Sequence, residues 1–318
     1  MNRIIDSARF VVEQSLQVKI DTKKIEAFCE NYKPQNVNYW LNDAPFNIQT
    51  LTIKDRFHFL FLLDSLNFSY WGDPKWKIQY AGNELDGAYG MIGAIGRAIE
   101  KGIPVLNAKY LSNISESDFS NILAGNVRIP LFSERLQIGR EVGTILLNEF
   151  EGDFTNIIIA SNHDAEILLD LIIETFPSFR DESEYRGNLI YFYKRAQLLV
   201  SDIFHAAAGQ DDSIIKNIDV LTAPADYKLP FELRRLGILS YSDHLAGKID
   251  NKIEIDHNSE EEIEIRANTI WAVELIKQKL KEKIAEADSI HINDHLWMLS
   301  QTKQPDDKPY HLTRTTAY

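Results

Sequence analysis

The sequence predicts a mainly α-helical protein in one compact unit with a single small β-hairpin. Three observations lead there. Apolar residues recur at helical spacing through most of the 318 residues. Cap and breaker residues bracket those runs. Strand-like alternation about a turn is clear only near residue 80.

Taken in order, Asp21 is placed to cap a helix over KKIEAFCENY, with Ile25 and Phe28 on its buried stripe and Pro34 ending it. DRFHFLFLLDSLNFSYW is too apolar for a surface helix and predicts a central one. KIQYAGNELDGAYG alternates around a Gly-Asn turn, which predicts a hairpin over residues 77–85. Residues 89–101 are helical again, closed by Gly102 and Pro104. Gly90, Gly93 and Gly96 share a face of that helix, so they predict close packing rather than a phosphate loop, which needs glycines in a turn after a strand.

Further helices are predicted over residues 116–124, 134–150, 165–176, 190–208, 230–236, 261–284 and 292–299. Ser115, Ser133 and either Ser161 or Asn162 are candidate caps. IIIA near Ile157 suggests a short strand, and DHNSEEEIEI a solvated helix start. Without repeats or Gly/Ser/Pro-rich linkers, residues 1–318 form one predicted domain. It comprises N-terminal helices (1–75), the hairpin with the glycine-rich helix (76–103) and a larger helical part (104–318).

Composition narrows the function. Acidic residues outnumber basic ones 47 to 34, a net charge of -13 that opposes binding to duplex nucleic acid. It leaves room for a small anionic ligand held by local cations. Cys29 is the only cysteine, so no disulfide within the chain and no cysteine zinc cluster is expected; a free Cys on a helix predicts a core residue. Asp6, Arg9 and Glu13 interrupt the first apolar run, and no later run is long enough to span a bilayer. A cytoplasmic location is the default expectation. Oligomeric state is not legible.

GxSxG, P-loop and HExxH motifs are missing. His291 and His295 lie four apart but lack a third nearby ligand. The default enzyme reading is therefore an acid–base or carboxylate mechanism with no metal and no cofactor. Two segments could carry it. In YFYKRAQLLVSDIFHAAA, Lys194 sits on a mostly apolar helix and must snorkel outward or meet a buried partner. Asp202 is two turns away, so a structural ion pair competes with catalysis. In LTAPADYKLPFELRRLG, Pro224 and Pro230 bracket Asp226 just before a helix. A pre-organised catalytic carboxylate and a plain helix cap both fit that position.

LDSLNFSYW, AIEKGIPVLNAKYL, ETFPSFRDE, YFYKRAQLLVSD, ADYKLPFELRRLGILSYSD and PYHLTRTTAY resemble, in order, blocks of the queuosine salvage family. The resemblance runs from about residue 36 onward. It implies a mainly helical fold similar to helix-hairpin-helix DNA glycosylases. It also implies hydrolysis of the N-glycosidic bond of queuosine 5′-phosphate, giving queuine and ribose 5-phosphate. By the same resemblance Asp226 is the catalytic aspartate and Lys194 the active-site lysine.

A carboxylate suits the oxocarbenium character that develops at the anomeric carbon, and a nearby ammonium keeps it ionised. Queuine is a 7-deazaguanine and must leave from a pyrrole-like nitrogen, so tight base recognition is expected to lower the barrier. The family's base-contact block reads Ile292-Asn293-Asp294-His295-Leu296-Trp297-Met298 here. Trp297 matches; Met298 and Asn293 stand where the family has aspartates, and Asp294 lies one position along. The family's aromatic before the catalytic aspartate is Pro224 here. Trp40 and Tyr227 are further candidates for substrate contact, and Arg195, His311 and Arg314 for phosphate. Two alternatives stay open: an N-glycosidase acting on another modified nucleoside or nucleotide, and a non-catalytic queuine or nucleotide carrier.

Overall fold

A computed structural model describes residues 2–33, 39–207 and 215–318. The expected ends of two elements, at Pro34 and residue 208, lie outside the described residues. The chain is mainly α-helical. It opens with α1 (Arg3–Gln14), capped by Asn2, then β1 (Val18–Ile20) and α2 (Thr22–Asn31). Asp21 caps α2 as expected, accepting from the Lys23 and Lys24 amides, and Ile25 and Cys29 are buried on its inner face. Next is α3 (Ile53–Ser65), buried on all sides from Phe57 onward, as an unbroken apolar run requires.

The hairpin is β2 (Lys77–Tyr80) and β3 (Asn83–Asp86), turning through Ala81 and Gly82, both at positive φ. The turn thus falls one residue earlier than the Gly-Asn reading, and Asn83 is already paired. It leads into α4 (Gly87–Glu100). A Cβ at Gly90 would lie 2.9 Å from Trp76, and one at Gly96 2.6 Å from Phe46. The glycine face is therefore a packing face.

The helices α5 (Ala108–Ser112), α6 (Glu116–Ile122), α7 (Phe132–Phe150), α8 (Thr155–Ala160) and α9 (Ala165–Thr175) follow. Ser115 caps α6. Ser133 caps nothing, because α7 starts from Leu131 in the left-handed region. Asp164, not Ser161 or Asn162, caps α9. The expected strand at Ile157 is instead α8: Ile157 and Ile158 are buried and Ile159 is 58% exposed, a helical rather than an alternating division.

Residues 190 and 191 are also not helical. They belong to β5 (Asn188–Tyr191), paired with β4 (Glu182–Tyr185) across Arg186 and Gly187, both at positive φ. After this second hairpin α10 (Lys194–Ala206) begins, then α11 (Lys228–Arg235), β6 (Leu239–Tyr241), α12 (Asp243–Asp250), α13 (Glu260–Lys281) and α14 (Ser289–Gln301). β6 pairs with β1, Ile20 opposite Leu239. The expectation of one hairpin is thus corrected to three two-stranded sheets among the described residues. Solvation at the start of α13 is brief: Ser259 caps it, yet Glu262 and Glu264 are fully buried. Glu264 stays there because Ser15, Tyr185 and the Leu16 and Gln17 amides all donate to it.

Buried apolar residues form two clusters. One gathers α1, α3 to α10 and the first hairpin; the other gathers α2 and α11 to α14. Trp297 packs against both, which places it where the two meet. Among the described residues no helix is long and apolar enough to cross a membrane.

Candidate active site

A cleft of about 1000 Å³, open solvent included, lies at this junction. Its lining comes from α4, α10, α14, the segment leading into α11, and the loop after α3. Asp226 lies in that lining. Its Oδ1 accepts from the Lys228 amide at 2.7 Å and the Leu229 amide at 3.1 Å, so it holds the first turn of α11. Among the described residues no hydrogen bond reaches its Oδ2. Helix cap and cleft carboxylate are therefore one residue doing two things, not rival explanations.

Lys194 begins α10 and is 5% exposed. Its ammonium donates to the Asn67 carbonyl at 3.3 Å. Burial pulls its pKa down, and the charges of Asp226, Asp64 and Asp202 oppose that shift. Among the described residues no ion pair closes onto Lys194 within 4 Å, from Asp202 or any other acid. The expected structural pair with Asp202 is not formed. Trp40 Nε1 bonds Asp202 Oδ1 instead, at 3.0 Å.

A buried ion pair fixes both residues. Arg266 on α13, with no exposed surface, grips Asp181 with two parallel bonds of 2.8 and 2.6 Å. Asp181 Oδ2 also accepts from the Lys194 amide at 3.0 Å, and Arg266 Nε donates to the Ala225 carbonyl at 3.2 Å. One planar fork thereby sets the start of α10 against the residue preceding Asp226. The surrounding anions keep Arg266 charged despite its burial.

Two groups of side chains flank this centre. In the first, Trp40, Tyr89 and Trp297 pack with ring centroids 5.5 to 6.2 Å apart. Asn293 and Asp294 also line the cleft here, and Asn293 Nδ2 donates to Asp294 Oδ1 at 3.1 Å. Asn293 Oδ1 and Asp294 Oδ2 are buried and take no hydrogen bond, though His205 Nε2 lies 3.9 Å from Asp294 Oδ2. Two buried acceptors that take no hydrogen bond, on residues lining the cleft, suit a ligand edge rich in N–H donors. Burial pushes the Asp294 carboxyl up to about 7. In the second group, Tyr227 packs against Tyr310 with ring centroids 4.8 Å apart and planes tilted by 34°, and Lys228 lies 5.7 Å from the Tyr310 ring. Lys75 sits there too, 3.7 Å from Asp86.

Six of the residues singled out from the sequence are thus brought to one cleft with Asp226: Lys194, Trp40, Tyr227, Asn293, Asp294 and Trp297. Three others are not. Arg195 is buried and donates to the Ser65 and Ser178 carbonyls. His311 is buried against Tyr318, its ring nitrogen 3.2 Å from the hydroxyl. Arg314 lies outside, over the Trp71 ring and near Glu254. The tail is extended, so alternate residues face opposite ways: Tyr310 reaches the cleft while His311 turns inward. Met298 packs on the core and does not line the cleft. Nor do His291 and His295 form a pair: His291 bonds Asp288 at 2.7 Å, while His295 packs on Tyr32.

Tyr89, Lys75, Lys228, Tyr310 and Asn67 were missed. Lys228 and Tyr310 lie within matched blocks, and the period-2 pattern of the tail could have selected Tyr310. Tyr89 and Lys75 carry no such signal, since only the folded hairpin brings them in.

A family model described as queuosine salvage protein matches residues 47–318. A protein of Sphaerobacter thermophilus named queuosine 5′-phosphate N-glycosylase/hydrolase is 38% identical over 317 residues, covering 99% of this chain and 97% of that one. The mouse (Mus musculus) protein of the same name is 36% identical, with 98% of each chain covered. The Schizosaccharomyces pombe one is 31% identical, covering 96% and 93%. With a family model over most of the chain and relatives matched along nearly their whole length in bacteria and eukaryotes, the chain belongs to the queuosine salvage protein family.

Proposed function

We propose that this protein is an N-glycosidase that hydrolyses queuosine 5′-phosphate to queuine and ribose 5-phosphate, making the base available for tRNA modification. The observation that carries the reading is the free Asp226 oxygen in the cleft, beside a buried lysine and between an aromatic group and a cationic one. The substrate is a small nucleotide rather than duplex nucleic acid, and the whole chain acts as one domain.

The geometry supports a division of labour. Trp40, Tyr89 and Trp297 take the flat base, and Asn293 Oδ1 and Asp294 Oδ2 accept from its guanine-like N–H groups. Lys228, Lys75, Tyr227 and Tyr310 take the sugar phosphate. Asp226 Oδ2 faces the anomeric carbon as the glycosidic bond stretches and positive charge develops there. Lys194 sets a positive charge beside that carboxylate. Water supplies a hydroxyl to the anomeric carbon, and its proton leaves with the base. Because the leaving nitrogen is pyrrole-like, contacts made to the departing base strengthen in the transition state and lower the barrier.

The test is chromatographic. Purified protein is incubated with queuosine 5′-phosphate, queuosine, guanosine 5′-phosphate and other nucleotides, and free base is measured against an Asp226→Ala control. Release of queuine from the first substrate above the control supports the reading. Preferred cleavage of a different nucleotide points to the other N-glycosidase, and tight binding without turnover to a carrier.

A further inference from the structure

Two acids behind Lys194 have no place in the chemistry above. Asp64 on α3 and Asp202 on α10 have no exposed surface. Each has one oxygen satisfied: Asn67 Nδ2 donates to Asp64 Oδ1 at 3.4 Å, and Trp40 Nε1 to Asp202 Oδ1. In each the second oxygen, Oδ2, is buried and takes no hydrogen bond. The two carboxyl groups are neighbours where α3 packs on α10, each acting electrostatically on the other. Both cannot be ionised there, because neighbouring like charges out of water repel too strongly. A single proton between them gives each unmatched oxygen a partner.

We propose that Asp64 and Asp202 share one proton and act together as a single monovalent anion, a positioning pair that anchors Trp40 and keeps Lys194 charged. The charged and titratable groups around it agree. Asp64 faces Lys194, Arg195 and Tyr70; Asp202 faces Asp64, Asp294 and Tyr39. Lys194 faces Asp226, Asp64, Arg195 and Asp202. Were both acids protonated, Asp226 alone would offset the burial of Lys194. Were both ionised, two charges would meet out of water. One shared proton leaves one charge for the lysine. Burial pushes both acids up, the direction that retains the proton near neutral pH. The pair connects Trp40, at the base end of the cleft, to Lys194 at its centre.

This inference rests on Lys194 supporting Asp226, so its test has an arm independent of turnover. In Asp64→Asn or Asp202→Asn an amide N–H replaces the shared proton while one negative charge remains. The double variant removes the charge. Each single variant is expected to keep kcat within about threefold of wild type. The double is expected to lose at least about tenfold and to shift the alkaline limb of kcat about one pH unit toward acid, since Lys194 has lost an anion. The independent arm is infrared difference spectroscopy at pH 7 in an Asp294→Asn background, which silences the other carboxyl raised to about 7: the parent shows a protonated-carboxyl band that either single variant removes. That arm needs neither substrate nor the Asp64/Asp202 double variant. A parent whose band persists in both singles overturns the proposal, as does a single variant as impaired as a folded double, or a double with an unmoved alkaline limb. If wild type releases no queuine yet the band behaves as expected, the assigned reaction fails and the shared proton stands.

Discussion

Replacing Asp226 by asparagine separates the two uses of its carboxylate. Oδ1 is a hydrogen-bond acceptor for the Lys228 and Leu229 amides, and an asparagine Oδ1 accepts them equally well. Oδ2 meets the reacting sugar, where an amide carries no charge. Asp226→Asn should therefore leave stability almost unchanged and lower kcat on the order of 10³-fold, or about 4 kcal/mol of transition-state stabilisation. Asp226→Ala loses the same activity and the helix cap as well, about 1 kcal/mol. In a chain of this size that lowers Tm by about 2 °C. The assay pairs single-turnover queuine release with thermal unfolding of all three proteins at one pH. An Asp226→Asn enzyme within tenfold of wild type would refute the assigned role. An alanine variant as stable as the asparagine variant would refute the capping role while leaving catalysis untouched.

The remaining predictions concern the flanks and the frame. Asp294 is raised from the usual carboxylate range to about 7, so between those values the folded protein holds a proton that the unfolded chain has lost. Stability then falls as pH rises across that window, by up to about 4 kcal/mol. Asp294→Asn should raise Tm at pH 8 but not at pH 4, and should weaken substrate binding; an unchanged Tm difference across pH would count against it. Lys228→Ala should raise KM for the 5′-phosphate about tenfold while sparing turnover of the nucleoside, since one ionic phosphate contact is lost. Lys75→Ala should do less, because Asp86 already lies against Lys75; equal losses on nucleotide and nucleoside would move the phosphate elsewhere. Arg266→Lys replaces the two-bond grip on Asp181 by a point charge, so we expect about 3 kcal/mol lower stability and a fall in kcat exceeding any rise in KM. Unchanged kcat would show that this frame does not set the reaction geometry.

Where one residue satisfied several physical demands at once, the sequence was legible. Asp21 before an apolar stripe, the glycine face of α4 and the proline-bracketed Asp226 are local patterns with local consequences. Matched blocks then raised Asp226 and Lys194 above their structural alternatives. Reading failed where tertiary pairing overrode local pattern. IIIA has strand-forming residues but no neighbouring strand, so it became helical. Ile190 and Tyr191 were absorbed into a helix, and the hairpin of EYRGNLIY went unseen, because it is short and its partner is itself. Arg195 looked available for phosphate because nothing local shows that the Ser65 and Ser178 carbonyls consume its donors. The Arg266–Asp181 frame was invisible for the same reason: 85 residues separate its members.

The loop after α3 is held from very far along the chain. Ser69 Oγ donates to the Thr315 carbonyl 246 residues later, and Trp71 Nε1 to the Thr313 carbonyl 242 residues later. Asn67, Tyr70 and Trp71 of that loop line the cleft. During synthesis, then, the helices around Lys194 can pack well before the cleft acquires its final wall. A growing chain that has already made Asp226 still presents an incomplete pocket, and that pocket is finished only when residues 313–315 dock back onto a loop made more than 240 residues earlier.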